Sequence, residues 1–97
     1  MTDNEKTQAS QAPFEINFPT FILSLASSIQ ISLGMIPHPA NNKPQVNLTS
    51  AKQTIDILGM LEEKTKGNLS DDEKKLLTQI LYELRIQYVE VSERKQS

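Results

Sequence analysis

Few side chains in this sequence could do chemistry: a single histidine, His38, and a set of acids and bases among which Asp56 and Arg85 stand out by position. His38 lies between Pro37 and Pro39, a stiff setting able to present an imidazole, the side chain that changes charge nearest neutrality. Imidazole catalysis needs a nucleophile to deprotonate or an acid to orient the ring, and a metal needs further ligands. The chain has no second histidine, no cysteine and no carboxylate close to His38 in sequence, so a surface loop histidine is the favoured reading. Asp56 sits between Ile55 and Ile57 on a helix with a wide apolar surface. Counting outward from the Gly67 turn of an antiparallel hairpin brings it within about one helical turn of Arg85. The expectation is an Asp56 to Arg85 ion pair or water bridge that sets the hairpin register. A catalytic carboxylate is disfavoured, because it would need a polarised partner and a cleft. Lys52 competes for Asp56 at the i, i+4 spacing.

The remaining charged cluster lies at the hairpin tip, where Lys64, Lys66, Lys74 and Lys75 could meet phosphates. Glu62, Glu63, Asp71, Asp72 and Glu73 gather there too, and no aromatic residue is interleaved to stack bases, so RNA binding is the weaker reading. Tyr82 and Tyr88 fit an interface or core with hydroxyls in water better than a base platform. The sequence holds no Gly-rich phosphate loop, no H-E-x-x-H and no spacing that supports a Ser-His-acid set. We therefore expect no catalytic, cofactor or metal residues, and no enzyme; a small enzyme using Asp56 or His38 is the last of the alternatives.

Those residues must be positioned by helices, and Ile55 to Val89 reads as two of them joined by a tight turn. Gly67 can adopt the left-handed backbone that ends a helix, and Lys64 and Lys66 complement the negative end of its dipole. Ser70 then opens an S-x-x-E capping box with Glu73, with Asp71 and Asp72 in the new helix's first turn. The incoming helix, about 48–66, is capped by Asn47 or Thr49; Leu48, Ala51, Ile55, Leu58 and Leu61 or Glu62 trace one face, and Ile57 and Met60 widen it. Gly59 in its middle costs about 1 kcal/mol against alanine, which implies a close helix approach. In the outgoing helix, about 71–91, Leu77, Leu81, Leu84, Tyr88 and Val91 step by four, three, four and three, a heptad-like seam.

Upstream, Asn17 caps a helix of about 18–33 with Pro19 in its first turn, and Phe18, Phe21, Ile22, Leu25, Ile29 and Leu33 form its core stripe. Ser24, Ser27 and Ser28 fall off that stripe, and Gly34 stops the helix. Pro37, Pro39 and Pro44 make 35–46 a loop. Residues 1–13 are polar and aperiodic, a disordered tail; 14–92 form one helical domain and 93–97 a frayed end. The expected fold is all-α, a small bundle of three helices built around an antiparallel hairpin.

At 97 residues the core is modest, which makes oligomerisation a plausible source of stability. The lack of cysteine suits a reducing cytoplasm, and the N-terminus lacks a secretory pattern. A net charge of -2 argues against a general grip on DNA or anionic lipid. The stretch 18–36 is long enough to span a bilayer, but its serines and Gln30 and its lack of flanking cations argue against a membrane span.

The segments FILSLASSIQISLG, AKQTIDILGMLEEKTKGNLSDDE and LYELRIQYV together resemble the bacterial family called domain of unknown function 1844, over about Phe18 to Val91. The most specific part is ID-x-L-x-x-L-x-x-KTKGNL, here Ile55 to Leu69, followed by LR-x-x-Y, here Leu84, Arg85 and Tyr88. The resemblance implies a small helical bacterial protein and brings no activity, cofactor or active site with it. The leading expectation is thus a cytoplasmic interaction module that assembles as a homo-oligomer, a dimer being favoured, or with a protein partner. Its candidate interface is Ile57, Met60, Leu77, Leu81, Leu84 and Tyr88, supported structurally by Asp56, Arg85, Gly67, Ser70 and Glu73. A regulatory or RNA-associated role for the lysine-rich tip is the alternative.

Overall fold

The computed structural model describes residues 16–96, so the tail expected over 1–13 lies outside the described residues. Three helices follow in order: α1 (Phe18–Ser32), α2 (Leu48–Lys64) and α3 (Asp71–Gln96). All three pack pairwise against one another, the all-α bundle that the apolar periodicities require.

Each helix begins where a side chain satisfies amides that the first turn leaves free. The Asn17 Oδ1 accepts from the Thr20 N–H at 2.9 Å, with a proline in the first turn of α1. The Asn47 Oδ1 accepts from the Ser50 N–H at 2.9 Å to start α2. At α3 the capping box closes both ways: the Glu73 N–H donates to Ser70 Oγ at 3.1 Å and the Ser70 N–H donates to Glu73 Oε1 at 2.9 Å.

The helix ends differ somewhat from expectation. α2 stops at Lys64, two residues short of Lys66, with Thr65 as its cap. The Thr65 hydroxyl donates back to the Leu61 carbonyl at 2.6 Å and the chain turns through Gly67 at φ +84°. α3 runs to Gln96, five residues past Val91, where the sequence suggests fraying from residue 93. Val91 is still buried, so the core holds the helix at that level, and Glu, Arg, Lys and Gln beyond it are good helix formers.

The core takes Ile22, Ile29 and Leu33 from α1 and its cap, Ala51, Ile55 and Leu58 from α2, and Leu77, Leu81, Leu84 and Val91 from α3. Phe18, Leu25 and Tyr88 pack half-buried against it, whereas Phe21, expected in the α1 stripe, is 45 % exposed. Its position is displaced from the Ile22 to Ile29 line by roughly a quarter turn, enough to leave the ring at the rim.

Between α1 and α2 the chain is a loop, as its prolines dictate, but an ordered one. Single antiparallel bridges join Leu33 to Val46 and His38 to Lys43. The Asn47 N–H donates to the Ser32 carbonyl at 2.7 Å, so the start of α2 is tied to the end of α1.

Candidate interaction surface and the clefts beside it

The seam Leu77, Leu81, Leu84 and Tyr88 was expected to face a partner, and the structure corrects this for its three leucines. They are 0 %, 1 % and 3 % exposed within the chain's own core, because α1 and α2 together cover the width that a single partner helix would leave open. Tyr88 is half-buried at the edge of that core. Ile57 and Met60 remain outside it, 42 % and 52 % exposed. Their direction follows from α2 itself. The Thr78 hydroxyl of α3 donates to Glu62 Oε2 at 3.3 Å and Arg85 lies over Gly59, so that flank of α2 faces α3. Ile57 is two residues from Gly59, about 200° around the helix, and therefore turns to the other flank.

A second apolar surface lies on α3. Tyr82, Ile86 and Val89, 66 %, 41 % and 51 % exposed, step by four and three residues and form one outward stripe. This stripe is missed when α3 is read as one seam, because the leucines dominate its periodicity. Ile86 is the residue that could have revealed it, being apolar and off the leucine line.

The direct Asp56 to Arg85 ion pair is a second correction. Asp56 pairs with Lys52 at 3.2 Å on its own helix, both side chains well exposed. The Arg85 guanidinium instead lies toward Gly59, its Nη2 3.2 Å from where a β-carbon on that residue would stand. Lys52 sits one turn away on a rigid helix and needs no second element to be ordered, while Arg85 meets α2 three residues nearer the turn. At Gly59, where a close helix approach was expected, the neighbour that comes near is the flexible end of the Arg85 side chain.

His38 is half-buried and serves the loop. Its Nδ1 accepts from the Ala40 N–H at 3.1 Å, its own N–H donates to the Lys43 carbonyl at 2.9 Å, and its carbonyl accepts from Asn42 at 2.7 Å. That use of Nδ1 places the proton of the neutral ring on Nε2. The ring borders a half-open cleft of about 480 Å³ between α1 and the start of α2, where Ser24, Ser27, Ser28, Ser32 and Ser50 supply hydroxyls. Ser32 and Ser50 reach each other at 3.4 Å. Among the described residues no acid lines this cleft with His38.

At the hairpin tip a pocket of about 360 Å³ is lined by Glu62, Lys66, Lys74 and Thr78 together with Leu69 and Leu77. Lys66 pairs with Glu63 at 3.4 Å. The acids of the α3 first turn stand beside these lysines, so the tip is of mixed sign. Among the described residues no cluster of histidine or acid side chains has metal-site geometry, and no helix is long and apolar enough to cross a membrane.

Three helices packed pairwise on a single core, half of it leucine, define a small all-α domain. The chain belongs to the family described as Domain of unknown function (DUF1844), which it matches over residues 15–90. Neither the curated proteins nor the solved structures contain a match to it.

Proposed function

We propose that this protein is a non-enzymatic interaction module of the cytoplasm that assembles with further copies of itself, a dimer being the favoured state. The observation that carries the reading is apolar surface left in water after the chain's own core is complete. Ile57 and Met60 occupy one flank of α2, and Tyr82, Ile86 and Val89 form a regular stripe on α3. Single exposed apolar residues are ordinary on a monomer, but a stripe at helical spacing is a contact surface in waiting. Covering a fully exposed side chain of this size contributes roughly 1.5–3 kcal/mol, so half-exposed ones contribute about half of that each. Several together are enough to bring a small domain into association. The cytoplasmic assignment rests on the absence of cysteine from the sequence. Light scattering behind a sizing column, with Met60→Glu and Ile86→Glu beside the natural chain, tests the reading: loss of assembly in at least one of the two variants is expected, and a natural chain that is monomeric throughout contradicts it.

A regulatory or RNA-associated role for the tip draws on Lys74 and the pocket it lines. It is the lesser reading, because Lys66 is already paired and the first turn of α3 carries Asp71, Asp72 and Glu73. Titration with mixed RNA at two salt concentrations tests it: salt-sensitive binding is its expected signature, and no binding at the lower salt rejects it.

A further inference from the structure

Resting on the self-assembly reading above, we infer that the partner of the α3 stripe is α3 of a second copy, lying parallel to the first, with Arg85 of each chain paired to Glu90 of the other. The argument begins with what α3 does on its two sides. Leu77, Leu84 and Val91 are spaced by seven and point into the chain's own core. Tyr82, Ile86 and Val89 lie on the opposite side, with the spacing of successive core positions in a two-stranded coiled coil.

In that frame the residues flanking the stripe are Glu83 and Glu90 on one edge and Arg85 on the other. Arg85 and Glu90 are both exposed, and neither is engaged by a hydrogen bond or an ion pair among the described residues. They are five residues apart on opposite edges, the separation at which the flanking positions of two parallel helices meet. Antiparallel helices instead set like edge against like edge. Glutamate would then face glutamate, and the Arg85 edges would face each other, so the flanking charges select the parallel arrangement.

The neighbouring helix leaves this approach open. α2 lies on the Arg85 edge, and Gly59, over which the guanidinium lies, has no side chain to obstruct an arriving carboxylate. Toward the ends, Lys75 and Glu93 follow the same face and limit the seam to about 79–89, with its apolar part from Tyr82 to Val89. So short a seam covers less than the roughly 1,600 Å² of a standard interface, so the dimer is reversible and dilution dissociates it.

Sedimentation equilibrium on the full chain tests this, with Arg85→Glu, Glu90→Arg and the double variant. All the substituted side chains are exposed, and thermal melts confirm that each variant is folded. Each single reversal is expected to weaken dimerisation about tenfold, and the double reversal to return it to within about threefold of the natural chain. Because the chain has no cysteine, Gln79→Cys adds a second readout: mild oxidation joins two parallel α3 helices at this position, whereas antiparallel helices place the two sulfurs at opposite ends. A dimer indifferent to all three charge variants and not joined through Gln79→Cys overturns the α3 seam while leaving self-assembly standing. A chain monomeric at every concentration overturns both.

Discussion

The guanidinium of Arg85 lies over Gly59, with Nη2 3.2 Å from the position a β-carbon would take. Glycine in the middle of α2 costs about 1 kcal/mol of helix stability relative to alanine. What it accommodates is the mobile end of a long side chain. Gly59→Ala is therefore expected to raise the stability of the isolated chain by up to about 1 kcal/mol, because the guanidinium can swing into water. Urea denaturation below the association range checks this. A loss of stability would mean that the guanidinium cannot move.

Asp56 and Arg85 should behave as independent residues within one chain. In a double-mutant cycle with Asp56→Asn and Arg85→Gln, the coupling energy is expected to be near zero. The Lys52 to Asp56 pair should contribute no more than about 0.5 kcal/mol, since both partners are exposed and the pair is screened. Coupling above about 1 kcal/mol between Asp56 and Arg85 would restore the pair that the structure replaces.

Leu81 is 1 % exposed at the centre of the core, and Tyr82 beside it is 66 % exposed on the stripe. Leu81→Ala is expected to cost about 2–5 kcal/mol of folding stability, a large share of what a domain of this size possesses. Tyr82→Ser should change the stability of the monomer by less than about 0.5 kcal/mol and weaken association. The two substitutions together separate a residue that holds the fold from one that faces out of it. Equal effects on folding would contradict the assignment.

The turn carries its own test. Gly67 has φ +84° and, its chain neighbours aside, no atom within 4 Å of where a β-carbon would stand, so the cost of Gly67→Ala is one of backbone conformation, about 1–2 kcal/mol. Ser70→Ala removes the acceptor for the Glu73 amide and should cost about 1 kcal/mol. Thermal melts of the two variants read both values; no change in either would show that the turn is held by packing alone.

What could be read from the sequence and what could not follows the range of the interactions. The Ser70 to Glu73 box, the Asn17 and Asn47 caps and the left-handed Gly67 are decided by residues within one turn of each other, and each stands in the structure as its local chemistry requires. The leucine seam of α3 was also legible, but its role was not. Periodicity shows that Leu77, Leu81 and Leu84 share a face, and only the packing of α1 and α2 shows that the chain itself fills it. Asp56 failed for a related reason. Counting from a turn places two residues at similar height and says nothing about which side chain is already engaged, here Lys52. The loop between α1 and α2 lay furthest from reach, since its bridges pair backbone groups and carry no side-chain signature.

The most direct measurement of the central claim is the solution mass of the natural chain over a concentration series by sedimentation. The apolar residues left outside the core predict a mass that rises from the 10.9 kDa of one chain toward twice that value as concentration increases, with dissociation on dilution. A mass that stays at 10.9 kDa at every concentration reached would contradict self-assembly.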